Sequence, residues 1–128
     1  MVFAYALLGI APFRDDAAAV LASSDNVQVP DLLRAELANV IWQWVKHRRV
    51  TRDIATAVLH DADGLISQTI AGEHLWERAL ELAVVADHPA YDTMFVAASE
   101  YTNTKVVTFD QRLKAAFPDN VLTATEFL

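Results

Sequence analysis

The chain has 128 residues, 54% of them apolar, a formal net charge of −7 and no cysteine. One domain of that size and apolar content holds a core without staples, so an intrinsically disordered chain, a disulfide scaffold and a thiolate metal site are excluded. No apolar run reaches the about 18 residues of a membrane span, and the acidic balance argues against passive binding to nucleic acid through net charge.

In chain order, residues 2–8 predict a short helix stopped at Gly9. This opening is apolar but short and lacks a basic segment, so it does not read as a signal peptide. Residues 13–23 predict a second helix, with Asp15 and Asp16 in its first turn. Residues 26–29 form a β-like run ended by Pro30. A long helix is expected over 31–47, where Leu32, Leu33, Leu37, Val40, Ile41, Trp44 and Val45 lie close to helical spacing. Thr51 caps a helix over 52–63 that Gly64 ends, and 65–70 is a short strand or a loop. Residues 73–85 are helical, and Pro89 starts a helix running to about Tyr101. A strand at 105–108, a helix at 111–117 and a last strand at 121–123 complete the order. No linker or repeat interrupts residues 1–128, which read as a single domain. Short apolar strands separated by helices point to an α/β fold, a parallel sheet flanked by helices. Ligands in such sheets bind beyond the carboxyl ends of the strands.

Three carboxylates draw notice against that frame. Glu36 projects between Leu32 and Val40, inside the apolar arc of its helix. A buried carboxylate costs several kcal/mol unless it is paired, hydrogen-bonded or metal-bound, although a glutamate at the edge of the stripe reaches solvent. Asp92 lies in the first turn after Pro89, where the helix dipole alone explains an acid. Asp110 follows the strand at 105–108, where an ordinary N-cap and a ligand position are both open readings. Thr108 adds a hydroxyl two residues earlier. Gathered at one sheet edge, these carboxylates repel one another, and a hard divalent cation such as Mg²⁺ relieves that repulsion.

Lys46, Arg48, Arg49 and Arg52 fall within seven positions. They read either as a solvated helix end or as contacts to an RNA backbone. His47, His60, His74 and His88 show no metal-binding spacing and read as surface or cap residues. Trp42, Trp44 and Trp76 read as packing or dimer contacts rather than base-stacking platforms. No glycine-rich dinucleotide motif, phosphate-binding loop or nucleophile elbow occurs.

Three ordered segments resemble the PIN-domain ribonucleases, and their spacing resembles the VapC-type toxins. Residues 29–40, with Pro30, Glu36 and Asn39, resemble the glutamate-bearing helix of that family. Tyr91-Asp92-Thr93-Met94-Phe95-Val96-Ala97-Ala98 resembles its central acidic helix, and Val107-Thr108-Phe109-Asp110 its strand and turn. The resemblance implies a PIN-like sheet and a metal site of Glu36, Asp92 and Asp110, with Thr108 as the small hydroxyl residue. It also implies Mg²⁺- or Mn²⁺-dependent cleavage of RNA in the cytoplasm, a homodimer and a small inhibitory antitoxin. The first strand and its aspartate are expected to lie before residue 1. An impaired, antitoxin-binding module is the alternative this leaves. A flap-type DNA nuclease needs more helices than 128 residues accommodate.

Overall fold

The computed structural model describes residues 1–128, which form eight helices and four short strands. They divide into two compact units, Met1–Gln28 with Leu32–Gln68, and Val29–Asp31 with Thr69–Leu128.

The first unit is helical. It holds α1 (Val2–Leu7), α2 (Arg14–Ala22), α3 (Leu32–Lys46) and α4 (Arg52–Leu65). Gly9 stops the first helix as expected: its φ of 67° lets the Ile10 N–H donate back to the Tyr5 carbonyl at 3.0 Å. Helix α1 packs on α2 and also touches α3 and α4. Leu33, Leu37 and Ile41 are the buried positions of α3, one stripe at a spacing of four. Arg34 of α3 donates to Asp63 of α4 at 2.6 Å and 2.9 Å, and this exposed pair contributes about 0–1 kcal/mol. Thr51 caps α4, its hydroxyl accepting from the Ile54 N–H at 3.3 Å. Gly64 does not stop this helix. It has open space around it, and the break comes at Ile66, whose ψ of 122° turns the chain extended.

In the second unit, β1 (Gln28–Pro30) pairs with β2 (Gln68–Ile70), and each strand draws its first residue from the other unit. The strand runs through Pro30, which the sequence had suggested would end it. Pro30 lacks a donor, and pairing resumes at Asp31, whose N–H donates to the Ile70 carbonyl at 3.0 Å. A 3-10 turn (Gly72–His74) precedes α5 (Trp76–Ala86), so the single helix expected over 73–85 is broken. Leu75 occupies the break and is 1% exposed, held in the core at the cost of helical backbone.

Helix α6 (Ala90–Thr102) packs along α5, and Thr93 pins the two together. Its buried hydroxyl donates to the Ala79 carbonyl at 2.6 Å. Strands β3 (Val106–Thr108) and β4 (Val121–Thr123) pair in parallel, Val106 opposite Val121 and Thr108 opposite Thr123. Three-residue strands are marginal on their own, and helices stabilise them. One apolar cluster joins Val96 of α6 with Val121 of β4, and with Leu113 and Phe117 from α7 (Gln111–Ala116) and its end. A second joins Ile70 and Leu75 to Ala79, Ala97 and Ala98, and Leu82 packs against both clusters.

The chain ends in α8 (Ala124–Phe127), absent from the sequence reading although Thr123 and Glu126 spell its capping box. The structure is mixed α/β with short parallel pairing, as the sequence suggested, and its strands form two two-stranded ladders. No helix is long and apolar enough to cross a membrane.

Candidate metal centre

The turn between α5 and α6 fixes two of the three groups. Asp87 adopts the left-handed conformation, φ 50°, and the His88 N–H donates to the Ala83 carbonyl at 3.1 Å. Pro89 then starts α6, and the Asp92 N–H donates to the Pro89 carbonyl at 3.1 Å. Four positions beyond His88, Asp92 therefore returns to the same side of the turn, and His88 Nε2 lies 3.0 Å from Asp92 Oδ2. The imidazole is nearly enclosed, its side chain 6% exposed against 39% for Asp92. Its edge meets Phe117, with ring centroids 6.3 Å apart and planes at 80°.

The third group comes from the carboxyl end of β3. Asp110 caps α7, its Oδ1 accepting from the Arg112 N–H at 2.9 Å and the Leu113 N–H at 3.1 Å. Its own N–H donates to Thr108 Oγ1 at 3.1 Å, so Thr108 fixes the backbone that aims the carboxylate. A carboxylate offers about four lone-pair sites, so the capping role leaves Oδ2 for a ligand. Ligand atoms of His88, Asp92 and Asp110 all lie within 4.8 Å of one another. Two carboxylates this close repel, and the attraction of a hard divalent cation offsets that repulsion. Oxygen donors suit Mg²⁺ and Mn²⁺, so the chemistry of the set fits such an ion.

Asp92, Asp110 and Thr108 thus belong to one neighbourhood of the second unit. Glu36 belongs to the first unit, half-buried on α3 one position before buried Leu37. The basic residues belong there too. Arg48 holds a left-handed φ of 56° at the end of α3, and the Arg49 N–H donates to the Trp44 carbonyl at 2.9 Å. Arg48, Arg49 and Arg52 then line a shallow depression of about 360 Å³ with Val45, Thr51 and Ile54. Lys46 lies over the Trp42 ring at 5.1 Å, and Arg49 over Trp44 at 5.3 Å. None of the four cations pairs with a carboxylate, although the chain is acidic overall.

The sequence reading of His88 needs correction. His88 is not a surface residue, because the Asp92 hydrogen bond and the Phe117 ring enclose it; His47, His60 and His74 are exposed as expected. The available signal was the run His88-Pro89-Ala90-Tyr91-Asp92, in which a proline start turns a four-residue separation into a contact. Of the packing and dimer contacts expected of the tryptophans, exposures of 54% and 67% exclude the core for Trp42 and Trp76 and leave the dimer contact open.

Comparison with curated proteins returns no match. Comparison with protein families matches the PIN domain over residues 2–117, nearly the whole chain and every element around His88, Asp92 and Asp110. The chain therefore belongs to the PIN domain family, whose members are typically nucleases that use divalent metals.

Proposed function

We propose that this chain is an endoribonuclease dependent on Mg²⁺ or Mn²⁺, the VapC-type toxin of a toxin–antitoxin pair acting in the cytoplasm. The meeting of Asp92 and Asp110 beside His88, in a chain of this family, carries the reading. Asp92 and Asp110 would hold the ion through carboxylate oxygens, with Thr108 keeping Asp110 in register. The family resemblance adds Glu36 to the acidic set. A divalent ion held there supplies Lewis acidity, a more acidic bound water and stabilisation of the charge that develops on the phosphate. The unpaired cations Lys46, Arg48, Arg49 and Arg52 attract the RNA backbone, and exposed Trp42 offers a stacking face.

A partner surface is expected as well. Trp76, Leu80, Val84 and Val85 of α5 are all more than half exposed, and contiguous exposed apolar surface marks interaction sites. That face suits a homodimer contact or an antitoxin.

The test is cleavage of single-stranded RNA with Mg²⁺ or Mn²⁺ by the chain and by Asp92→Ala. The expected loss exceeds about 100-fold, because removing a ligand costs more than the 10–100-fold typical of an outer-shell partner. Equal cleavage by the two proteins would trace the activity to a contaminant and remove the assignment.

A further inference from the structure

We infer that His88 is a positioning residue: it holds Asp92 in its ion-binding orientation by donating from Nε2, and it is not itself a ligand. The inference rests on the proposed metal site and adds a residue that the acidic set does not contain.

The proton's place follows from the partners. The ring's hydrogen-bond partner in the protein is Asp92 Oδ2, 3.0 Å from Nε2, and a carboxylate oxygen only accepts. The proton therefore belongs on Nε2, in the neutral ring and in the imidazolium alike. A nitrogen that carries a proton has no lone pair for a metal. Were Nε2 to bind an ion instead, the proton would move to Nδ1. Ligating histidines almost always donate their second N–H to a carboxylate, carbonyl or water, and here the ring atom that meets a carboxylate is Nε2, the one a direct ligand in this cluster would have to free. The ring is also held independently of any ion. Its backbone is tied to Ala83 by a 3.1 Å hydrogen bond and its edge to Phe117. Phe117 lies just beyond the helix that Asp110 caps, so one short helix, α7, aligns both carboxylates: Asp110 directly and Asp92 through His88.

With Oδ2 committed to His88, Asp92 presents Oδ1 to the ion. Losing the donor frees the carboxylate to rotate, and such outer partners typically account for 10–100-fold in metal affinity. Glutamine carries an amide N–H₂ near the position of Nε2, and leucine carries no donor.

The experiment is Mn²⁺ titration calorimetry on the full chain, His88→Leu, His88→Gln and Asp92→Ala, with circular dichroism to verify folding. Pulsed electron paramagnetic resonance of the Mn²⁺-loaded wild type accompanies it. The expected pattern is affinity about 10–100-fold lower in His88→Leu, near wild type in His88→Gln, and no imidazole nitrogen coupling to Mn²⁺. A nitrogen coupling that His88→Leu abolishes would overturn the inference, making His88 a ligand. Wild-type affinity in His88→Leu, or equal loss in folded His88→Leu and His88→Gln, would also overturn it. If Asp92→Ala leaves Mn²⁺ affinity unchanged, the proposed metal site itself fails, which separates that failure from one confined to His88. Should His88→Leu not fold, His88→Gln and the wild-type spectrum still decide.

Discussion

In the first unit, Lys46, Arg48, Arg49 and Arg52 share one place because they share one stretch of chain, the end of α3 and the start of α4. In the second, His88, Asp92 and Asp110 are gathered from the α5–α6 turn and the end of β3. Local backbone alone builds the basic depression, whereas the acidic cluster depends on how α6, β3 and α7 pack. Its side chains are already engaged: Asp92 by His88, Asp110 by two amide groups. The arginines have no carboxylate partner, and of the three only Arg49 lies over an indole ring, that of Trp44. A cluster assembled by packing is sensitive to distant core changes, and one assembled by adjacency is not.

Asp110 gives the largest expected effect, because it both caps a helix and belongs to the cluster. Asp110→Asn keeps the cap, since asparagine is as good there as aspartate, but loses the charge. Metal-dependent cleavage should fall by more than about 100-fold, beyond the outer-partner range, while thermal stability changes little. Asp110→Ala should lose the same activity and a further about 0.5–2 kcal/mol of stability. Activity retained in Asp110→Asn would reduce Asp110 to a cap.

The basic depression should respond through salt. Each cation that neutralises a phosphate of single-stranded RNA contributes about 0.7 to the slope of log affinity against log salt. Replacing Arg48, Arg49 and Arg52 together by Gln should therefore lower that slope by about 2. Fluorescence titrations of a short RNA at several salt concentrations measure it. An unchanged slope would leave these arginines as a solvated helix end. Mn²⁺ affinity should not change in this variant, which tests whether the two clusters are as independent as their construction suggests.

Thr93 tests the other side of the contrast. Its buried hydroxyl donates to the Ala79 carbonyl. Thr93→Val keeps the shape but removes this bond to a carbonyl that also serves the ladder of α5, at a cost of about 0.5–1.5 kcal/mol. Urea unfolding measures the loss. Because Thr93 adjoins Asp92, Mn²⁺ affinity should weaken as well, while RNA affinity at low salt holds. A variant that loses stability with no change in Mn²⁺ affinity would show the cluster to be less dependent on α5–α6 packing than proposed.

The same division explains what the sequence revealed. Periodicity located the long helices, and Pro89 marked the start of α6 within a residue. The basic run was visible because it is contiguous. Asp92 and Asp110 were candidates only by their places at a helix start and a strand end, each with an ordinary capping explanation. His88 stayed hidden because its relation to Asp92 passes through a turn whose shape depends on a left-handed Asp87. Leu75 broke a helix that periodicity ran straight through, since tertiary burial outweighed local propensity there. Glu36 was singled out by its place in the apolar arc, and its half-buried position fits the edge of that arc.

Lys114 offers the smallest and cleanest contrast with the unpaired arginines, because it is a cation of the second unit held by a carboxylate. Its Nζ lies 3.0 Å from Glu126 Oε2, which also accepts from the Thr123 N–H at 2.8 Å. The Thr123 backbone and then Lys114 hold the Glu126 carboxyl below its ordinary value of 4.5. A folded-state value depressed in this way contributes stability that is fully present above the unfolded value. That contribution is lost as pH falls through the lower, folded one. Glu126→Gln keeps an acceptor for the cap but removes the charge, so it should be less stable than wild type at pH 7. The gap should narrow as the pH drops below 4.5 and close once Glu126 is protonated in both states. Paired thermal melts across that range measure it. A gap that does not change with pH would mean that the charge on Glu126 does not stabilise the last helix.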